Sequence, residues 1–593
     1  MGFLPTSVKE IKALGWEQPD IIIFTGDAYV DHPAFGAAVI GRVLESEGFK
    51  VAIVPQPNWR DDLRDFKKLG EPRLFFAVTA GNMDSMVNHY TAAKRLRSDD
   101  AYTPDGKAGF RPDYATVVYS RIIKKLYAST PLIIGGVEAS LRRLTHYDYW
   151  SDTLKPSILV DSQADILVYG MGEKAIIEIA KKLDQGMAIE SLRGIPQVAY
   201  IDHNIDKYKR GEDILILSSY EECLADKLKF ANNFKIIEQE SNRINSKILI
   251  EPIEDRCVVV NPPFNPATTH EIDRWYDLPY TRLPHPRYKG KTIPAWEMIK
   301  FSVNIHRGCF GGCSFCTISA HQGRFISSRS EQSILKEIEE IKKIPGFAGY
   351  LSDLGGPSAN MYGMGPKDLS ICAKCKRPSC IYPNICKNLN SSHEPINNLY
   401  NQVRKVEGIK KAFVGSGVRY DLFITRKDSK AEREYFENLF LHHVSGRLKV
   451  APEHTSEKVL KIMRKPSFEL FKQLKQWFDA LNEKFGQKQQ LIPYFISSHP
   501  GSTEQDMKQL AEETRKLNFK LEQVQDFTPT PMTLASTIYY TGINPYTGEK
   551  VYVARSVEEK RKQQSYFFWY KNESKSLFTQ SKKRPPKRKP PIR

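Results

Sequence analysis

Short apolar runs alternate along residues 20–185 with longer stretches whose apolar positions recur three and four apart. Residues 20–25 (DIIIFT), 49–54 (FKVAIV), 74–78, 132–134 and 166–169 are the runs, and residues 35–47 read as a helix between the first two. Runs of this length, each followed by glycine or small residues, have the pattern of strands buried on both faces. The turns after them are Gly26-Asp27, Gly135-Gly136 and Gly170-Met171-Gly172-Glu173. Such alternation predicts an open parallel sheet flanked by helices, with ligands bound beyond the carboxyl ends of the strands. Residues 1–185 are therefore expected to form one α/β domain.

The pattern weakens over 186–290. Residues 219–245 have helical character, and 261–291 are rich in proline, histidine and aromatics. This stretch is expected to be a connector wrapping between two domains. From residue 291 to 535 the alternation returns, with strands expected at 298–305, 347–354, 411–416, 447–451, 490–496 and 521–527. Helices are expected between them. Residues 330–344 place Ile334, Leu335, Ile338 and Ile341 on one face, and 468–485 and 504–517 are similar. The last of these is expected to begin with a capping box from Ser502 to Gln505. Six strand–helix units predict a partial parallel (β/α)6 barrel, whose reactive groups would sit at the carboxyl ends of its strands. A cysteine-rich insert interrupts it at 366–392, and 536–593 form an extension with a basic tail.

With 593 residues, 41% hydrophobic and 26% charged, the chain has room for two or three cores. No segment reaches the roughly 18 consecutive apolar residues of a membrane span, and residues 1–20 lack the apolar core of a signal peptide. Met1-Gly2 with Thr6 fits only the loose myristoylation pattern. The expectation is a soluble cytoplasmic protein without a membrane partner. The net charge of +18 is uneven, because the tail 581–593 carries seven Lys/Arg, four prolines and no acid. Such an arm is extended, and serves either as a phosphate-backbone contact or as a solvated solubility tail.

Seven of the nine cysteines fall within 78 residues, while Cys223 and Cys257 stand apart as ordinary buried thiols. Cys309, Cys313 and Cys316 follow the first barrel strand on one short loop, Cys309-Phe310-Gly311-Gly312-Cys313-Ser314-Phe315-Cys316. Iron–sulfur clusters are ordinarily held by four thiolates. Three can hold three irons of a 4Fe–4S cluster and leave the fourth iron open to substrate. Phe310 and Phe315 can shield such a cluster from water. Zinc prefers four ligands, and no fourth lies inside the loop, His306 and His321 being the near candidates. Cys372, Cys375, Cys380 and Cys386 form a different group, enough to close a metal site unaided. Zinc, a second iron–sulfur cluster and free thiols all suit that spacing.

The CxxxCxΦC loop resembles the signature of the radical S-adenosylmethionine (SAM) superfamily. The whole order resembles the YgiQ-type branch: the α/β region, the Cys309 loop, the Cys372 insert, Ala451-Pro452-Glu453-His454, Gln525-Asp526-Phe527-Thr528-Pro529-Thr530-Pro531 and a basic terminus. The resemblance implies that SAM chelates the open iron, and that a flavodoxin- or ferredoxin-like donor supplies the electron that releases a 5′-deoxyadenosyl radical. It also implies a SAM site from Phe315, Asp353, Gly355, Gly356, Ser416, His499 and Gly501. Many members carry glycine–glycine–glutamate after the second strand, where this chain has Gly355-Gly356-Pro357, so that Asp353 or backbone carbonyls would take the missing role. Glu453 and His454 are the candidate catalytic pair, and Arg419 could bind a carboxylate or phosphate.

The N-terminal region resembles cobalamin-binding domains. Those that ligate cobalt through histidine use aspartate-x-histidine-x-x-glycine, whereas Asp31-His32-Pro33-Ala34-Phe35-Gly36 sets the histidine one place early. Three functional readings follow. The first is a radical SAM enzyme acting on RNA or another macromolecule. The second is a cobalamin-dependent methyltransferase or methylthiotransferase. The third is a non-catalytic iron–sulfur RNA-binding protein.

Overall fold

The computed structural model describes residues 2–209 and 211–570; the basic tail 581–593 lies outside them. The expected N-terminal strands are present as β1 (Ile21–Thr25), β2 (Val51–Pro55), β3 (Phe75–Thr79), β4 (Leu132–Ile134) and β5 (Ile166–Val168). They pair in parallel in the order β2-β1-β3-β4-β5. Helices α1 (Gly36–Ser46), α2 (Ala115–Leu126) and α3 (Glu173–Asp184) cover the sheet. Ile21, Ile23, Val51 and Ile53 enter one buried core, while Ile22, Phe24, Ala52 and Val54 enter another on the opposite face. Alternate side chains of a strand point to opposite faces, so a strand covered on both sides reads as an unbroken apolar run.

The connector expected over 186–290 is corrected by the structure. Strands β6 (Val198–Asp202), β7 (Ile214–Ile216), β8 (Ile248–Ile253) and β9 (Arg256–Val260) extend the same sheet, which runs β2-β1-β3-β4-β5-β6-β9-β8-β7. The extension turns antiparallel at β5–β6, and β8–β9 form a hairpin about Glu254, whose φ is +52°. Antiparallel strands need no crossover helix, so the βα rhythm breaks at β6 and β9 although the sheet continues, while β7 and β8 stay parallel. The helical stretch is real, and includes α4 (Lys227–Ser241).

The second half begins one element differently from expectation. Pro294 starts a short helix, Pro294–Ile299, because proline suits the first turn of a helix. The strand proper is β10 (Ser302–Asn304). After α5 (Glu331–Lys342) come β11 (Tyr350–Leu351) and β12 (Asp353–Gly355), then α6 (Glu394–Lys405), β13 (Lys411–Ala412), β14 (Arg447–Glu453), α7 (Phe468–Phe485), β15 (Gln490–Ser497), α8 (Glu504–Lys516) and β16 (Gln523–Asp526). β10 pairs in parallel with β12, β11 with β13, and β14 with β15 and β16 in turn. This is the partial parallel barrel, its core built from Val303, Ile334, Ile338, Leu354, Leu399, Leu448, Phe471 and Phe495. Helix α8 is capped by Thr503 and Asp506, one place later than Ser502 and Gln505. Ser502 is instead buried, donating its hydroxyl to Gln563 Oε1 at 3.1 Å. Among the described residues no helix is long and apolar enough to cross a membrane.

Candidate functional site

The Cys309 loop leaves the carboxyl end of β10 and is stitched down on three sides. Cys309 N donates to Gly323 O at 3.1 Å, Ser314 N to Met463 O at 3.0 Å, and Cys316 N to Cys313 O at 3.2 Å. Gly312 has φ +62°, and a Cβ there would stand 2.0 Å from Pro378 O, so the cysteine-rich insert lies flush on the loop. Two N–H groups point at sulfur: Gly311 N at 3.4 Å from Cys309 Sγ, and Arg419 Nη1 at 3.3 Å from Cys313 Sγ. The rest of the Arg419 guanidinium is held by Asp421, Nε to Oδ1 at 2.9 Å and Nη2 to Oδ2 at 2.6 Å.

The thiols themselves test the fit to a cluster. Burial, and then neighbouring thiols, push Cys309 up to about 11 and Cys316 up to about 12. Neither would ionise at neutral pH in such a place without a strongly positive partner. Among the described residues no three His, Cys, Asp or Glu side chains converge to hold a single ion. A four-iron cluster asks for something else, three thiols spread along one loop with donors aimed at sulfur. The Cys309 loop has that form.

Of the residues expected to bind SAM, some come together here. Asp353 Oδ1 accepts from Gly415 N at 2.8 Å, and from Ser416 N and Ser416 Oγ at 3.2 Å each, joining the ends of two barrel strands. A Cβ on Gly355 would meet that same Ser416 hydroxyl at 2.0 Å, and one on Gly356 would meet His306 Nε2 at 2.7 Å. Phe315 packs edge-on against His499 with ring centroids 5.8 Å apart. His499 Nε2 lies 3.3 Å from Ser314 Oγ, and burial pulls the ring down to about 3, so it is neutral. Gly501 is turned elsewhere, its α-carbon facing Ile462 and its N–H donating to Tyr552 O at 2.8 Å.

The candidate pair Glu453 and His454 separates. Glu453 is buried with φ +69°, and its carboxyl is raised by burial while Lys465 Nζ stands 3.6 Å away. It is close enough to Cys316 to raise that thiol. His454 Nδ1 accepts from Thr455 N and Ser456 N at 3.0 Å each, and Nε2 meets Ser502 Oγ at 3.2 Å. Both ring nitrogens are thereby engaged in the turn, and burial lowers the imidazole to about 4. His32 is engaged likewise: Nδ1 accepts from Ala34 N at 3.1 Å, and Nε2 faces Arg282 Nη2 at 2.8 Å. It does not line the cavity described next.

That cavity, about 400 Å³, lies between the two halves. Thr79, Gly136 and Gly172 line it from the carboxyl ends of the N-terminal sheet, and Asn304, Arg307 and Gln322 from the barrel. Sequence reasoning located the glycine turns but missed what bridges them. Arg307, just before the cysteine loop, forms a buried ion pair with Glu173, at the start of α3, and donates Nε to Tyr276 Oη at 3.1 Å. His321 Nδ1 meets Ser140 Oγ at 3.1 Å. Glu173 was visible as the acid closing its turn, but nothing local marks its partner.

Three family models match the chain: "Radical SAM N-terminal" over residues 3–302, "Radical SAM superfamily" over 303–514 and "Domain of unknown function (DUF3362)" over 522–584. A UPF0313 protein of Bacteroides thetaiotaomicron is 59% identical over 588 residues, covering 97% of this chain and 95% of its own. One of Porphyromonas gingivalis is 61% identical over 575 residues, covering 96% and 91%. The UPF0313 protein YgiQ of Escherichia coli is 45% identical, covering 94% and 82%. A solved structure of the radical SAM methyltransferase TsrM from Kitasatospora setae aligns with a TM-score of 0.47 and 14% identity, covering 87% of this chain and 75% of that one.

Proposed function

The chain belongs to the UPF0313 family and to the radical SAM superfamily, and from that premise we propose that Cys309, Cys313 and Cys316 bind a 4Fe–4S cluster that cleaves SAM, with RNA as the substrate class. Held by Cys309, Cys313 and Cys316, cluster and SAM would supply radical hydrogen-atom abstraction from the substrate. The carrying observation is the loop itself: three thiols at the end of the first barrel strand, with Arg419 Nη1 3.3 Å from Cys313 Sγ.

The surrounding residues suit that task. Arg419 and Gly311 donate to sulfur, which spreads negative charge off the cluster and raises its potential. Phe315 and His499 form an apolar, uncharged wall that excludes water. Asp353 ties Gly415 and Ser416 to the second strand and so keeps the barrel mouth rigid. Glu453, held by Lys465, is the acid nearest the thiols with a carboxyl raised by burial, able to carry a proton near the cluster. RNA is favoured by the net charge of +18 and the basic tail.

The test is anaerobic. After iron and sulfide reconstitution and reduction with dithionite, wild type given SAM is expected to release 5′-deoxyadenosine and Cys309→Ala none, read by mass spectrometry. An intact, reducible cluster that yields no product with SAM and total RNA favours the non-catalytic RNA-binding reading instead.

The 400 Å³ cavity favours a second reading, in which the N-terminal sheet carries a corrinoid beside the cluster loop for methyl or methylthio transfer. Because His32 is engaged by Ala34 and Arg282, it is not free to ligate cobalt, and the histidine that lines this cavity is His321. Equilibrium dialysis against hydroxocobalamin decides it: stoichiometric binding supports this reading, and none removes it.

A further inference from the structure

The four-cysteine insert takes no part in the function proposed above, yet it is built as a closed unit. A two-rung antiparallel ladder, Gly365 with Asn390 and Pro366 with Leu389, pinches its base. Inside, Cys375 N donates to Cys372 O at 3.2 Å and Cys386 N to Cys380 O at 2.7 Å, so two turns each bring a pair of cysteines together. All four are free and partly buried. Cys372, Cys380 and Cys386 line one cavity of about 30 Å³ with Phe310 and Arg324.

Arg324 is the independent observation. It is 5% exposed, its Nε has no partner, and among the described residues the charged groups beside it are thiols rather than carboxylates. Its Nη2 donates to Cys380 Sγ at 3.1 Å and reaches Cys375 Sγ at 3.9 Å, and its Nη1 donates to Asn242 O at 3.4 Å and to Arg377 O. Asn388 Nδ2 donates to a third sulfur, Cys372 Sγ, at 3.5 Å. A buried guanidinium needs a counter-charge, and neutral thiols offer none. Four thiolates around an oxidised four-iron core leave a net charge of about −2, which Arg324 meets directly in a basic stretch that also holds Lys374, Lys376, Arg377 and Lys387.

We propose that Cys372, Cys375, Cys380 and Cys386 hold a resident four-iron cluster, since among the described residues no three such side chains converge on a single ion, and that this cluster braces the Cys309 loop. The brace is direct. Ser379 Oγ donates to Gly311 O at 2.7 Å and Cys380 N to Phe310 O at 3.0 Å. Phe310 shares an apolar cluster with Ile381 and Leu389 of the insert. Ordering the insert around a metal therefore orders the middle of the loop that carries Cys309 and Cys313.

The test removes the first site. Full-length C309A/C313A/C316A protein, purified anaerobically, is expected to retain about four irons with matching acid-labile sulfide per chain. Adding C372S/C386S is expected to abolish that metal. Because the added substitutions could unfold the insert, a second measurement reads the ligands directly. The three-alanine protein is expected to show sulfur-to-iron charge-transfer absorption that dithionite bleaches. Iron and sulfide no higher than in the five-fold variant, or zinc in their place without those bands, overturns the proposal. The brace is read in the otherwise native chain by hydrogen exchange. Amides 309–316 are expected to exchange at least tenfold faster in C372S/C386S than in wild type, and equal rates overturn that part.

Discussion

Arg419 Nη1 stands 3.3 Å from Cys313 Sγ while Asp421 holds the other edge of the same guanidinium at 2.9 and 2.6 Å. The cation is thus aimed at sulfur by a carboxylate that cannot itself reach it. Removing Arg419 alone would strand Asp421 in a buried site, at a cost of about 3–5 kcal/mol. The informative variant is therefore R419Q/D421N. Its cluster midpoint potential is expected to be more negative than that of wild type, with slower 5′-deoxyadenosine release, because one donor and one positive charge leave the sulfur. An EPR-monitored redox titration checks it, and an unchanged midpoint would count against the role given to Arg419.

The ion pair between Arg307 and Glu173 joins the α3 end of the sheet to the strand before the cysteine loop. Glu173→Gln leaves the guanidinium buried without its counter-charge and is expected to destabilise the junction by about 3–5 kcal/mol. R307M/E173M is expected to recover most of that loss, since exchange of a whole buried pair for apolar residues is often neutral. Thermal unfolding onset and proteolysis between the halves, compared across the three proteins, measure the difference.

Gly312 has φ +62° with Pro378 O where a Cβ would go, whereas Gly323 has φ +85° in open space. Gly323→Ala meets backbone strain alone, about 1–3 kcal/mol, because φ +85° with ψ 167° is a region that only glycine enters freely. Gly312→Ala adds a collision with the insert's backbone. Iron retained per chain after reconstitution is expected to fall by more than half in G312A and to stay near wild type in G323A. Equal retention in the two variants would remove the argument for close packing of loop and insert.

Glu251 is buried, and desolvation raises its carboxyl from 4.5 to about 7, its one hydrogen bond being Thr145 N to Oε2 at 2.8 Å. Between pH 4.5 and 7 the folded chain binds more protons here than the unfolded chain. The contribution of this group is therefore fullest below pH 4.5 and is lost as pH rises through 7. Glu251→Gln is expected to flatten that part of the stability profile, measured as the difference in unfolding onset between pH 5 and pH 8. A wild-type profile that rises over this range, with no change in its slope in E251Q, would contradict the assignment.

Much of the fold was legible because the relevant physics is local. The apolar runs that became β1 to β5 are strands covered on both faces, and glycine follows where the sheet's carboxyl ends open on the cavity. Helix α7 has the same bounds as its sequence pattern because Ser467 caps it and Gly486, with φ +60°, ends it. Residues 186–290 were illegible for the opposite reason. β6 runs antiparallel to both β5 and β9, β7 is three residues long and parallel to β8, and apart from the β8–β9 hairpin their place in the sheet depends on partners 30 or more residues away in the chain. The three-cysteine loop was readable from spacing, since all three thiols ride on one turn of chain.

The sequence by itself determined the residue types that can hold a cluster and the alternation that makes a sheet and a barrel, because both follow from spacings of a few residues. Only the tertiary structure decided which of those groups are still available for chemistry. His32 and His454 look like ligands or bases in the sequence, but a packed interior leaves few polar groups unpaired, and their nitrogens are engaged by Arg282, Ala34, Thr455, Ser456 and Ser502. Arg324 and Arg307 carry no local signature. They gain their roles from partners more than 50 residues away, Cys375 and Cys380 for the one and Glu173 for the other. Chain spacing sets which atoms a segment presents, and the closing of the fold sets which charges meet.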